Sequence, residues 1–201
     1  MRNVSRPTYS YLILVIGLII LDTLLAWVSV EISHLISHLL SPSLPAGVAV
    51  IALAAAFMVI FTLWFGLYGA IAAYIGTLFG AGLFGGLPGS VAIYFSLASL
   101  WMVLVPLAAF RTFEANARVE SRRDLFHLVL FGAVLNNIIA AAWGSISLAV
   151  GGVITWSTIM AAFVPLFAGS AVFTVIIAPL VLHHCTPRVE KSKIFVRDYW
   201  F

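Results

Sequence analysis

Residues 48–83 of the chain, VAVIALAAAFMVIFTLWFGLYGAIAAYIGTLFGAGL, carry no charged side chain. A helix that crosses the hydrocarbon core of a bilayer needs about 20 consecutive apolar residues, and this stretch is long enough for more than one such helix. Its apolar residues follow one another without the polar alternation of a transmembrane β-strand. The stretch therefore predicts α-helices that cross a membrane.

The composition extends this prediction to the whole chain. Hydrophobic residues make up 63% of its 201 residues and charged residues 8%, whereas a soluble domain has about 25% charged residues. We therefore expect a single integral membrane domain over residues 1–201, all-α and polytopic, in contact with the lipid bilayer. The single cysteine, Cys185, excludes an internal disulfide, and the absence of a basic stripe with interleaved aromatic residues argues against nucleic-acid binding.

The Lys and Arg residues predict how the chain is oriented in the membrane. There is none between Pro7 and Phe110, and none between Asp124 and Pro187. All ten lie in three clusters: Arg2 and Arg6; Arg111, Arg118, Arg122 and Arg123; Arg188, Lys191, Lys193 and Arg197. Because basic loops stay on the cytoplasmic side, each apolar interval should contain an even number of crossings. Both termini are therefore predicted to be cytoplasmic.

Glycine and proline residues divide the apolar intervals into spans. Residues 31–47 are polar, contain Pro42 and Pro45, and lack Lys and Arg, so we expect them outside the membrane on the external side. Residues 183–201 are predicted to form a cytoplasmic tail. The predicted helices cover residues 9–30, 48–67, 70–83, 90–110, 125–150 and 154–182. The sequence thus predicts a six-helix transmembrane bundle.

Asn136 and Asn137 lie near the middle of the fifth predicted helix. Lipid offers no hydrogen-bond partner, so amides at this depth bond either to protein or to a polar ligand. Two interpretations stay open: the amides join neighbouring helices, or they bind a solute through their donor and acceptor atoms. Trp143, about two turns further on, would either stack against the same solute or anchor the helix at the membrane interface.

Asp22 is the only carboxylate within a predicted span, and no Lys or Arg lies at its depth. A charge in this position is costly unless it is paired or hydrated. Asp22 is therefore protonated, hydrogen-bonded to neutral groups, reached by water, or closer to the interface than its place in the span suggests. It either binds a proton, a cation or the ligand, or it is a shallow hydrated residue.

The third predicted helix carries small residues at helical spacing. Gly69, Ala73, Gly76 and Gly80 lie close to one face, and the last two form a small-xxx-small pair. Small residues let helix backbones approach each other in lipid. The pair predicts packing within the bundle or, as the alternative, the wall of a backbone-lined pocket or a surface for a partner subunit.

Glu31, His34 and His38 would share one face of a helix, because their spacing is i, i+3, i+7. This spacing suits a transition metal, but the solvated face of an amphipathic helix is the favoured interpretation. The His-His-Cys cluster at residues 183–185 is interpreted first as a cluster at the membrane interface and only second as a metal site. We expect no metal and no cofactor. The sequence contains no nucleophile elbow, phosphate-binding loop, zinc-protease motif or paired carboxylates, so we also expect no enzymatic activity.

The run LWFGLYGAIAAYIGTLFGAGLFGGLPGS, residues 63–90, is followed by a helix that ends in a basic loop. This pattern resembles the middle of the S components of energy-coupling-factor transporters, which are six-helix membrane proteins of about this size that capture vitamins or metal ions. The resemblance implies a substrate-binding subunit that works with an ATP-driven partner. The Ala-xxx-Ala surface with which that family docks its coupling subunit has its nearest match in Ala52-xxx-Ala56.

Two runs in the second half, RRDLFHLVLFGAVLNNIIAAAWGSISLAVGGVITW (residues 122–156) and FAGSAVFTVIIAPLVL (residues 167–182), suggest another family. They resemble the MASE-type membrane sensor domains that precede histidine kinases and cyclic-dinucleotide enzymes. The shared features are Arg123-Asp124, Gly144, Gly169 and Ala178-Pro179-Leu180. This resemblance implies a sensory or scaffolding module.

Two hypotheses about function follow, and a small structural membrane protein with no ligand is a third interpretation. The first is a subunit of the plasma membrane that captures a small neutral or cationic solute from outside and needs a coupling ATPase. Its ligand would be bound by Asn136, Asn137, Trp143 and, less centrally, Asp22. The second is a membrane sensor that reports to a separate signalling kinase. In both hypotheses the partner would contact the basic loop through its four arginines: Arg111, Arg118, Arg122 and Arg123.

Overall fold

A computed structural model describes residues 8–40, 44–192 and 194–196 of the protein as a bundle of helices. The helices are α1 Thr8–Leu40, α2 Leu53–Phe65, α3 Leu67–Phe84, α4 Gly89–Thr112, α5 Arg122–Val150 and α6 Ile159–Val189. A single 3₁₀ turn, Trp156–Thr158, precedes α6. No β-strand occurs in the described residues, which confirms the all-α prediction.

Five helices are long and apolar enough to cross a membrane, counted over the described ranges: α1, α3, α4, α5 and α6. Helix α2 has 13 residues, or about 20 Å at roughly 1.5 Å per residue, whereas the hydrocarbon core is about 30 Å thick. The prediction of a helical membrane protein is therefore confirmed. Residues 1–7 and 197–201 lie outside the described residues, so cytoplasmic termini stay a prediction.

Helix α1 continues to Leu40, whereas the sequence predicted an end near Val30 and an external polar segment after it. Residues 31–40 contain neither glycine nor proline. The hydroxyl of Ser33 donates a hydrogen bond to the backbone oxygen of Ser29, one turn earlier, at 2.6 Å. A serine that bonds in this way is satisfied without leaving the helix. The predicted break at Pro42 lies outside the described residues.

Helix α2 begins later than its predicted start at Val48. Residues 44–52, called the plug segment below, are not helical and enter the bundle, where Val48 is fully buried. Irregular backbone at membrane depth needs hydrogen-bond partners within the protein. Ser33 of α1 supplies them, because its Oγ accepts hydrogen bonds from the backbone N–H groups of Val50 and Ile51, each at 3.0 Å.

Two helices contain π-helical turns, Leu78–Phe84 at the end of α3 and Leu130–Leu135 within α5. Such turns are rare and occur frequently at functional sites. The one in α5 ends directly before Asn136. Because a π-helical turn contains more residues than an α-helical turn, it changes the face of α5 on which this side chain lies.

The ends of α5 and α6 also differ from the predicted ones. Helix α5 begins at Arg122, because Ser121 and Asp124 form a capping box in which each side chain bonds the backbone N–H of the other. Helix α6 continues past the predicted end at Leu182 as far as Val189. The first residues of the predicted tail are thus helical.

The core of the bundle is built around α2, which packs against α1, α3, α4 and α6 and buries almost all of its side chains. Helices α1 and α3 run parallel to each other. A Cβ on Gly76 would lie 2.5 Å from the Cβ of Asp22, and a Cβ on Gly80 would lie 2.8 Å from the Cβ of Ala26. The small-xxx-small pair therefore packs within the bundle.

Candidate functional site

A cavity of about 90 Å³ lies inside the bundle. Pockets that bind drug-sized ligands have roughly 300–1,000 Å³, so this cavity fits only a solute of a few heavy atoms. All six helices and the plug segment contribute to its wall. Representative wall residues are Ala26, Gly47, Ala54, Thr77, Ala98, Ala140 and Leu166. The wall is built mainly from small side chains, which leave the space open.

Three serines give the cavity wall part of its polar character. Ser29 Oγ donates to the Leu25 backbone oxygen, and Ser99 Oγ to the Ser96 backbone oxygen, both at 2.7 Å. Ser170 Oγ also donates to its own helix. Each hydroxyl keeps an acceptor lone pair, and the described lining residues carry no charge. The wall can therefore accept hydrogen bonds from a solute, but it has no fixed cation for an anion.

The plug segment forms part of the cavity wall. Gly47 and Ala49 line the cavity directly, and Val48 packs into an apolar cluster with residues of α4, α5 and α6. Gly169 of α6 approaches the carbonyl oxygen of Val50 so closely that a Cβ there would clash with it. The plug segment is thus hydrogen-bonded to Ser33 on one side and packed closely against Gly169 on the other.

Asn136 and Asn137 lie one helical turn from the part of α5 that lines the cavity. Asn136 Nδ2 donates to the backbone oxygen of Met102 in α4 at 2.8 Å, whereas Asn137 Nδ2 donates to Ala133 of its own helix at 2.7 Å. Both side chains are fully buried, and among the described residues neither Oδ1 atom has a hydrogen-bond partner. Asn136 joins α5 to α4, and neither residue lines the cavity itself.

Trp143 lies on the outside of the bundle, away from the cavity. Its side chain lines a groove between α4 and α5, its Nε1 donates to the backbone oxygen of Tyr94 at 2.8 Å, and its ring lies 6.2 Å from that of Trp101. A tryptophan with an exposed ring and a satisfied N–H group suits the membrane interface. This position favours the anchoring interpretation.

Asp22 is fully buried where α1 packs against Gly76 of α3. In the described part of the chain, neither of its carboxylate oxygens has a hydrogen-bond partner. Asp22 does not line the cavity itself, but Ala26, one turn further along α1, does. The shallow, water-exposed position considered from the sequence does not fit this burial.

The residues considered for a metal site do not come together. The carboxylate of Glu31 accepts a hydrogen bond from Trp27 Nε1 at 3.2 Å, and Glu31 and His38 are exposed, while Nε2 of His34 is buried. Across the described ranges, which include residues 183–185, no three His, Cys, Asp or Glu side chains are placed to hold a metal ion. In this arrangement the trio on α1 forms no metal site.

The arginines expected to contact a partner also take part in bonds within the protein. Arg118 forms an ion pair with Glu190, and its hydrogen bonds to that carboxylate raise the pKa of Arg118. Arg123 donates to a backbone oxygen at the end of α4 at 2.9 Å. The side chains of Arg111 and Arg122 are exposed. A partner would thus contact a basic loop that is already bonded to the end of α6.

A hydrogen-bond network that the sequence did not indicate connects four segments at this basic end of the bundle: α2, α6, the loop between α4 and α5, and residues 194–196. Trp64 Nε1, in α2, donates to Thr186 Oγ1 of α6 at 2.9 Å, and Thr186 Oγ1 donates to the backbone oxygen of Ala117 at 3.2 Å. The backbone N–H of Val196 donates to the backbone oxygen of Trp64 at 2.9 Å. These bonds join residues far apart in the chain, so no local pattern could have predicted them.

The plug segment and the cavity wall were also missed from the sequence. The wall consists of alanines and serines spread over every helix, and such residues are common in membrane helices wherever backbones approach. The only local sequence feature that indicated irregular backbone in the plug segment was Pro45 and Gly47 beside an apolar run.

Comparisons with known proteins do not assign this site to a family. The chain matches no protein-family model, no curated protein and no solved structure. Its function is therefore inferred from the geometry of the site itself.

Proposed function

We propose that this protein is a membrane-embedded solute-binding subunit of a transport system, similar in role to the S components of energy-coupling-factor transporters. The observation that supports this most directly is the cavity of about 90 Å³ to which every helix contributes. A bundle that only anchored a partner would gain stability by filling this space, because empty cavities are destabilising. A wall of small residues with a few polar groups is instead typical of a binding site.

The solute in this proposal is small and either neutral or cationic. One helical turn from the wall, the Oδ1 atoms of Asn136 and Asn137 have no hydrogen-bond partner among the described residues. The serine hydroxyls of the wall itself offer acceptor lone pairs. A solute with N–H or O–H donors would satisfy them. An anion would find no fixed positive charge on the described lining residues. A vitamin-sized molecule would require the bundle to open further than it does here.

In this proposal the chain crosses the plasma membrane six times, and both termini lie in the cytoplasm. Helix α2 and the plug segment together provide one crossing. The plug segment faces the outside, and the solute enters past it. The basic end faces the cytoplasm, where Arg111 and Arg122 are exposed to an ATP-driven partner. The protein itself hydrolyses nothing.

A second candidate function, a sensory module that signals to a separate kinase, is supported by the network at the basic end. The bonds among Trp64, Thr186 and Ala117 connect α2 and α6 to the loop between α4 and α5. Helices α2 and α6 also line the cavity. A solute that shifted either helix would therefore also move this loop.

Purification from native membranes in a mild detergent, followed by native mass spectrometry, tests both functions. The transport proposal predicts a bound molecule of a few heavy atoms and a co-purifying ATPase, whereas the sensory proposal predicts a co-purifying kinase. A protein that carries no ligand, and whose Asn136→Leu, Asn137→Leu double variant leaves uptake and signalling unchanged, would contradict the proposal of a binding site.

A further inference from the structure

Asp22 lies where α1 packs closely against Gly76 of α3. Its side chain is fully buried, and a Cβ on Gly76 would lie 2.5 Å from its own Cβ. Over the residues that the structure describes, neither of its oxygens has a hydrogen-bond partner. The two helices therefore meet at an acidic group for which their packing provides no partner.

No charged side chain on the adjoining helices compensates this carboxyl group. The sequence has no Lys or Arg between Pro7 and Phe110, an interval that contains all of α1, α2 and α3. Helix α2 carries no titratable side chain, and α3 carries only Tyr68 and Tyr74. Tyr68 stacks on Tyr11, which lies about 16 Å along α1 from Asp22. Tyr74 is two residues from Gly76 and therefore lies on another face of α3.

The burial of this group indicates what it binds. An ionised carboxylate that is buried without a partner is strongly destabilising, so the site has to be neutralised. A Ca²⁺ or Mg²⁺ ion would require about six oxygen ligands, and the glycine that faces Asp22 contributes no side chain. A proton needs no such shell, and the resulting O–H group can donate to a backbone carbonyl oxygen of its own helix.

The cavity lies close to this group on both helices. Ala26 lies one turn from Asp22 on α1, and Thr77 follows Gly76 on α3; both line the cavity. We propose that Asp22 is a proton-binding site that exchanges with the cavity, so that the movement of solute through the bundle is coupled to protons. Proton binding stands on the geometry of Asp22 alone, whereas the coupling rests on the proposed transport function.

Labelling with dicyclohexylcarbodiimide tests the proton site. The carboxylic O–H adds across a C=N bond of this apolar reagent, and the adduct rearranges to a stable N-acylurea whose added mass locates the labelled residue. The full-length protein would be labelled in vesicles of phosphatidylcholine and phosphatidylglycerol over a range of pH. We expect label on Asp22 that decreases as the pH rises, and none at that position in Asp22→Asn. Glu31, exposed on the same helix, is the internal control and should stay unlabelled.

A second variant keeps the inference testable if Asp22→Asn does not fold. Gly76→Ala forces α1 and α3 apart and admits water to Asp22, so we expect its labelling at neutral pH to fall several-fold. Asp22 that remains unlabelled at every pH, or is labelled equally at every pH, overturns the inference. If either of these outcomes is found in a protein that still binds solute, the inference about Asp22 is wrong and the proposed function is unaffected. A titrating Asp22 in a protein that binds no solute would overturn the proposed function instead.

Discussion

Replacing Gly80 by alanine tests whether α1 and α3 pack through their backbones. A Cβ at this position would clash with the carbonyl oxygen of Thr23 and would lie 2.8 Å from the Cβ of Ala26 and 3.0 Å from the backbone nitrogen of Trp27. Two of these three atoms belong to the backbone of α1, so a change of side-chain rotamer cannot relieve the contact. We therefore expect Gly80→Ala to push the two helices apart.

The expected cost follows from two opposing effects. Overpacking a tightly packed interior costs about 1–3 kcal/mol, whereas alanine is favoured over glycine in a helix by about 1 kcal/mol. We expect a net loss of up to about 2 kcal/mol, which lowers the folding equilibrium constant by up to about 30-fold. Gly17→Ala on α1 is the matched control, because no atom lies within 4 Å of its added Cβ.

Unfolding by sodium dodecyl sulfate in mixed micelles, followed by far-ultraviolet circular dichroism, measures this difference. Gly17→Ala should be as stable as the wild type, or more stable by up to about 1 kcal/mol, because it gains helix propensity without a clash. If Gly80→Ala proved as stable as Gly17→Ala, the close approach of α1 and α3 would be refuted.

Three further substitutions test individual hydrogen bonds. Ser33→Ala leaves two plug-segment N–H groups without their acceptor and should cost about 1–3 kcal/mol with faster hydrogen exchange at both amides. Ser37→Ala is its control, because that hydroxyl bonds to its own helix; equal exchange in the two variants would contradict the role of Ser33. Trp64→Phe loses its bond to Thr186 and should cost about 1 kcal/mol in the same unfolding assay. Asn136→Leu should cost about 0.6 kcal/mol, the average for hydrogen bonds between membrane helices; a stabilised variant would contradict the bond to α4.

The apolar runs and the absence of charges within them were sufficient to predict helices in a membrane. The helix ends were harder to predict, because a polar residue does not always end a helix. Glu31 and Ser33 suggested that the chain leaves the membrane, yet α1 continues through both of them. Their polar groups are satisfied locally, Glu31 by Trp27 and Ser33 by Ser29 and the plug segment. The bond between Ser33 and the plug segment depends on tertiary structure, and none of these bonds can be read from composition.

The candidate site was predictable only in part. Asn136, Asn137 and Asp22 stood out from the sequence because each is a polar residue in an apolar run, and all three prove to be fully buried. The cavity beside them could not be predicted, since it depends on which alanines of different helices face each other across empty space. Trp143 was placed with the asparagines by helix spacing, but helix spacing does not determine which face turns towards lipid.

The most direct test of a solute site in this cavity is to fill the cavity. Ala141 lines it, whereas its neighbour Ala142 on the same helix does not. Isothermal titration of the solute identified by native mass spectrometry would compare Ala141→Leu with Ala142→Leu, after circular dichroism has confirmed that both are folded. We predict that Ala141→Leu loses binding while Ala142→Leu binds as the wild type does. Equal binding by Ala141→Leu and the wild type would contradict a solute site in the cavity.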